Sequence, residues 1–191
     1  MYSILTTHGF IINSRPYGEA GKILSIFTRD LGLITTVAQG IRLEKSKLKA
    51  FTQNYSFGTF SFVKGKEFRR LTGADTLGKS CWPNKKLMAK LAAILHRLLH
   101  GEESHKELFE NILACALFSS NNLELNKERM LTLESLTVIR ILHCLGYVGN
   151  DENLKGSVGS NEISIVLLDD LAGRRVEINR HINKALRESH L

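Results

Sequence analysis

The apolar residues of this chain change their repeat near residue 83, so its two parts cannot share one kind of secondary structure. Before that point, short β-branched or aromatic runs are cut by glycines at 9–13, 23–28, 33–38, 55–63 and 68–74, a texture that predicts strands. Asp30-Leu31-Gly32 supplies turn chemistry between the second and third runs. After it, apolar residues recur every three or four positions, as on one face of a helix.

Within the fourth run the alternation changes parity between Phe57 and the pair Phe60 and Phe62. A bulge near Gly58 would let both aromatic pairs, Tyr55 with Phe57 and Phe60 with Phe62, face one core. Five short strands in 80 residues predict a small closed barrel, and the five-stranded oligonucleotide-binding (OB) fold is the common barrel of that size. The expected class is α+β, with the barrel over residues 1–80 and an all-helical domain over 81–191.

In the second part, Leu87, Leu91, Ile94, Leu95 and Leu98 line one helix face, with Asn84 placed to cap it and Gly101 to end it. Ser104-His105-Lys106-Glu107 reads as a capping box opening a helix to about Ser119, with Leu108, Phe109, Ile112, Leu113, Ala116 and Leu117 as its apolar set. A third helix from about Lys127 carries Leu131, Val138, Ile139, Leu142 and Leu145 before the stop at Gly146. Residues 147–162, rich in Gly, Asn and Asp, predict a loop, and Ile178, Ile182, Ala185 and Leu186 mark a closing helix.

Charge divides at nearly the same point. Residues 1–80 carry 12 Lys and Arg against 5 Asp and Glu, whereas residues 81–191 carry 14 of each sign. The whole excess of +7 therefore lies in the predicted barrel, and clustered cations raise a potential that attracts polyphosphate. Cys81, Cys115 and Cys144 are odd in number and far apart, which suits reduced, buried thiols. The first residues lack the basic and long apolar regions of a signal peptide, and no run nears the roughly 18 apolar residues of a span, so a cytoplasmic protein off the membrane is expected.

Signatures of covalent chemistry are absent. The chain holds no G-x-G-x-x-G, G-x-S-x-G or H-E-x-x-H, and in Gly40-Ile41-Arg42-Leu43-Glu44-Lys45-Ser46 a glutamate stands where a phosphate loop needs glycine. His96 and His100 would share one face of a helix, but a zinc site wants at least three protein ligands and nothing nearby completes this pair. No catalytic residue, metal or cofactor is expected.

Two groups of cations remain. Arg42, Lys45, Lys47 and Lys49 fall in a stretch without apolar alternation, which predicts an exposed loop, and Lys64, Lys66, Arg69 and Arg70 surround the last predicted hairpin. Arg15, Lys22 and Arg29, on or beside the first two strands, complete the candidate nucleic-acid-binding set. Single strands are held by cations that track phosphates and by aromatic faces that stack bases, over ~4–16 nucleotides per OB domain. Tyr17, Tyr55 and Phe68 are the candidate platforms.

The stretch from Tyr17-Gly18-Glu19 through Phe27-Thr28-Arg29-Asp30-Leu31-Gly32, continued by Ala38-Gln39-Gly40-Ile41-Arg42 and Ser46-Lys47-Leu48, resembles the N-terminal domain of the RecO family of DNA repair proteins. The resemblance implies an N-terminal OB barrel and a helical domain. It implies binding of single- and double-stranded DNA, annealing of complementary strands, and help in loading recombinase, with RecR and single-strand-binding protein as partners. Many family members carry a four-cysteine zinc site after an L-G-Y sequence; here Leu145-Gly146-Tyr147 is followed by a loop without cysteine, so no structural zinc is expected. Two other readings stand beside the DNA-binding mediator: a protein-interaction adaptor of a repair complex whose charge is incidental, and a metal-dependent enzyme built on His96 and His100.

Overall fold

The structure, a computed structural model, describes residues 4–65, 68–77, 84–149, 151–154 and 156–188. The chain forms two compact units, 1–105 and 106–191. The change of period, at Ser80 to Pro83, lies outside the described residues, as do Cys81 and Lys66.

In the first unit, β1 (Ile4–Tyr17), β2 (Gly21–Thr28), β3 (Gly32–Ala38), β4 (Phe57–Val63) and β5 (Arg69–Thr76) close into a barrel in the order β1-β2-β3-β5-β4. β3 and β5 pair in parallel, Thr36 opposite Arg69, and the other neighbours are antiparallel. This is the expected five-stranded OB barrel.

The barrel is filled by Ile11, Leu24, Ile26, Ile34, Phe60, Phe62 and Leu71, and Ile41 from the β3–β4 connection joins the same cluster with Leu48 against it. Room for the rings comes from two glycines paired across β1 and β4, Gly9 and Gly58. A Cβ on Gly9 would stand 2.7 Å from Ile26 Cγ2 and 2.9 Å from Phe60 Cδ2, well inside contact distance.

The bulge expected at Gly58 is not there. The β1/β4 ladder runs unbroken from Ile4 opposite Val63 to Phe10 opposite Phe57. Phe60 and Phe62 point into the barrel, while Phe57 lies on the other face, stacked on Phe10 with centroids 4.6 Å apart. Both faces of this part of the sheet are covered, so an aromatic of either parity is buried and no extra residue is needed. Irregular register occurs instead between Ile11 and Asn13 of β1 and between Ser61 and Phe62 in the β4/β5 pairing.

α1 (Lys85–Leu98) packs on β1, which places it with the barrel rather than with the helices that follow. Asn84 caps it, its Oδ1 accepting from the N–H of Lys86 and Leu87. The helix ends at Leu98, earlier than Gly101, because Leu99 is already extended. His96 and His100 therefore do not share a helical face, and both are exposed.

The segment after α1 straps onto the β2–β3 turn. Gly101 accepts from the Leu33 N–H at 3.1 Å, and the Ser104 hydroxyl donates to the Arg29 carbonyl at 3.1 Å. The Glu103 backbone lies where a Cβ on Gly32, at φ +72°, would go. The Ser104 hydroxyl thus donates to the barrel, and the next helix starts at Lys106.

The second unit holds α2 (Lys106–Asn121), α3 (Lys127–Cys144), α4 (Ile165–Ala172) and α5 (Arg175–Glu188). α3 contacts the other three, which explains why all the residues from Thr132 to Leu142 except Glu134 are buried, polar as well as apolar. Asn126 caps α3 by accepting from the Arg129 N–H at 2.8 Å, and Gly146 ends it at φ +78°. α4 was not anticipated: it is eight residues long, and only the Ser164 cap announces it.

Candidate nucleic-acid interface

Ile41, near the start of the β3–β4 connection, belongs to the barrel core, and the four residues after it are exposed. Its backbone is pinned to the β1–β2 turn: the Arg42 N–H donates to the Ala20 carbonyl at 2.9 Å, and its guanidinium Nη1 reaches the Gly18 carbonyl at 3.5 Å. Leu48 anchors the 3-10 turn Lys47–Lys49 to the core, and that turn packs against β5. With the apolar residues spent inward, Arg42, Lys45, Lys47 and Lys49 are all exposed.

Pairing in the sheet sets the second group. Arg15 on β1 lies opposite Ile23, Ile23 opposite Val37, Val37 beside Arg70, and Arg70 opposite Val63, the residue before Lys64. Leu24, Ala38, Leu71 and Phe62, each adjacent in sequence to one of these, face the interior, so this row lies on the outer face of the sheet, with Ile23 buried and Val37 half-buried between the two exposed arginines. Arg15 and Arg70 thus bracket two aliphatic side chains on one outer face. Lys22, half-buried, lies next to Ile23 and opposite both Pro16 and Ala38.

The candidate cations divide by what they already touch. Arg15, Lys22, Arg42, Lys45, Lys47, Lys49, Lys64 and Arg70 form no ion pair with a described residue. Arg29 sits 3.7 Å from Asp30, whose carboxylate also accepts from the Thr7 hydroxyl. Arg69 is held at two points by Glu102, at 3.2 and 2.6 Å, and this partner stabilises its charged form. Lys66 lies outside the described residues.

Of the three aromatic platforms, Tyr17 is 49% exposed at the end of β1, next to the Gly18 carbonyl that Arg42 meets, and Phe68 is 39% exposed just before β5. Tyr55 is half-buried in a left-handed turn at φ +67°, where its N–H donates to Ile11. The sequence reading passed over Leu43, which is 58% exposed between Arg42 and Glu44 and adds apolar surface among the cations. Its signal was an isolated leucine in a stretch without a strand or helix repeat.

Among the described residues no three His, Cys, Asp or Glu gather as metal ligands, and no helix is long and apolar enough to cross a membrane.

Residues 1–79 match the family described as Recombination protein O N terminal. The chain is 29% identical over 150 residues to the DNA repair protein RecO of Rubrobacter xylanophilus, covering 76% of this chain and 58% of that protein. It is 29% identical over 161 residues to the DNA repair protein RecO of Alkaliphilus metalliredigens, covering 84% and 65%. Over 71 residues it is 37% identical to the RecO of Dehalococcoides mccartyi, covering 37% and 28%. The chain therefore spans about six-tenths of the length of the first two relatives it matches.

Proposed function

From the premise that this chain belongs, through its N-terminal domain, to the recombination protein O family, we propose that it is a DNA repair protein that binds single- and double-stranded DNA, promotes annealing, and assists recombinase loading without covalent catalysis. The observation that carries the reading is the β3–β4 connection, which presents Arg42, Lys45, Lys47 and Lys49 exposed and without ion pairs, on a backbone pinned to the β1–β2 turn beside Tyr17. Such a surface tracks phosphates and offers a ring for a base.

Annealing follows from the same electrostatics. Cations that neutralise two strands at once lower their mutual repulsion, and complementary bases then meet. DNA in both forms, RecR and single-strand-binding protein are the proposed partners.

The test is a salt titration of binding to a fluorescent single-stranded oligonucleotide, paired with a strand-annealing assay. If ~5 phosphates are neutralised, log K falls with log salt at a slope of about −3.5. A variant with all four connection cations reversed to Glu is expected to bind weakly while keeping its circular dichroism spectrum. Equal affinity of that variant at low salt would overturn the assignment of this loop.

A further inference from the structure

Positive and negative side chains are equal in number over residues 81–191, but they are not evenly placed. α5 packs on α3 through its buried residues Ile178, Ile182 and Ala185, and the Ser135 hydroxyl of α3 donates to the Asn179 side-chain oxygen at 2.8 Å. At 3.6 residues per turn, Val176, Arg180, Asn183, Lys184 and Arg187 then fall within about a quarter of the helix circumference, on the side away from that packed face. All five are exposed.

The charges of this stripe are available. Arg180 and Arg187 form no ion pair or hydrogen bond with a described residue. Lys184 lies 3.9 Å from Glu188 with both side chains more than half exposed, a pair that solvent leaves with little strength. Glu177, the other carboxylate of α5, is half-buried at the flank of the stripe. From Arg180 to Arg187 the helix rises about 10 Å, which matches about three nucleotide steps of a stacked strand at ~3.4 Å each.

We propose that this face of α5 is a second nucleic-acid surface, which binds the phosphate backbone of a DNA strand independently of the barrel. Arg180, Lys184 and Arg187 take phosphate oxygens, and the Asn183 amide between them donates to a phosphate or sugar oxygen. An amphipathic helix enters a lipid surface with its apolar face, and that face of α5 is already buried. A protein partner wants an apolar centre, whereas the stripe carries a single apolar side chain, Val176, at one end. Every residue invoked belongs to the second unit, so the site does not depend on the cations of the barrel. With the barrel it gives one chain two places to hold a strand; that consequence, unlike the site, rests on the proposed annealing.

The experiment follows the anisotropy of a fluorescent single-stranded oligonucleotide with the full chain over a range of salt concentrations. One variant combines Arg180→Gln, Lys184→Gln and Arg187→Gln; a control of the same net charge combines Lys85→Gln, Lys86→Gln and Lys127→Gln, exposed cations away from the stripe. The stripe variant is expected to bind about tenfold or more weakly at low salt, with the slope of log K against log salt smaller by about 2 for three lost contacts. The control should stay close to the parent, and Arg180→Lys with Arg187→Lys, which keeps the charge, should keep the slope. Circular dichroism should be unchanged throughout, since all six side chains are exposed. Parent-like binding by the stripe variant, or an equal loss in the control, would overturn the site; a loss on reversing the β3–β4 connection with none here would leave the barrel reading standing and remove this one. Vesicles of phosphatidylserine and phosphatidylcholine are titrated in parallel, and stripe-dependent binding to them without an effect on DNA would give this face to a lipid surface and overturn the proposal.

Discussion

Arg69, at the start of β5, is gripped by Glu102 from the segment after α1, Nε to Oε1 at 3.2 Å and Nη2 to Oε2 at 2.6 Å. The pair joins two parts of the first unit 33 residues apart and takes one cation out of the basic surface next to Arg70.

Replacing Glu102 with Gln should release Arg69. Glu102 is half exposed, so the pair's loss is expected to cost at most about 1 kcal/mol. The freed guanidinium should strengthen DNA binding and steepen its salt dependence by up to about 0.7 per added phosphate contact. Fluorescence anisotropy over a range of salt concentrations checks both, and unchanged binding would place Arg69 away from the bound strand.

Reversing Arg15 and Arg70 together tests whether the outer sheet row belongs to the same surface as the β3–β4 connection. Both side chains are exposed, so the fold should be retained. The affinity is expected to fall and the salt slope to shrink by about 1.4, for two lost contacts to a single strand. A loss confined to the connection variant would restrict the interface to that loop.

Gly32→Ala should destabilise the first unit by about 1–3 kcal/mol from backbone strain alone, because the residue has φ +72°. The Glu103 backbone then has to move as well, which adds to that loss. Chemical denaturation followed by circular dichroism measures it, and a neutral substitution would show that the strap over the β2–β3 turn carries little stability.

Cys144 supplies a pH dependence whose sign follows from burial. Its thiol is pushed up from 9.0 to about 11, with desolvation the largest cause, followed by the Glu107 charge. The folded state therefore keeps a proton that the unfolded chain has lost between these values, so this group's contribution to stability is full below pH 9 and falls as pH rises toward 11. Cys144→Ser should flatten that part of the curve of unfolding free energy against pH, and thiol-specific alkylation of the native protein at pH 8 should be slow at this residue.

Strand and helix periods made much of the fold legible. The runs around Ile11, Ile26, Ile34 and Phe60, with the turn at Asp30-Leu31-Gly32, are those of the barrel, and Asn84 caps the helix it was expected to cap. The parity change at Phe57 misled because alternation reports which face is buried only when the other is wet, and here both are covered. Ser104 also makes a bond that its local sequence does not announce, donating to the Arg29 carbonyl 75 residues away.

For the candidate site, local sequence determined which residues were cationic and that Arg42 to Lys49 would lie outside the strands, since that stretch offers only Ile41 and Leu48 to the core. Only the tertiary structure decided which of these charges remain available. Arg69 and Glu102 are 33 residues apart, and Arg140 meets its carbonyl partners 17 and 22 residues on. The formation of an ion pair, or the stranding of a buried guanidinium, depends on distances of a few ångströms that chain closure sets and residue order does not encode.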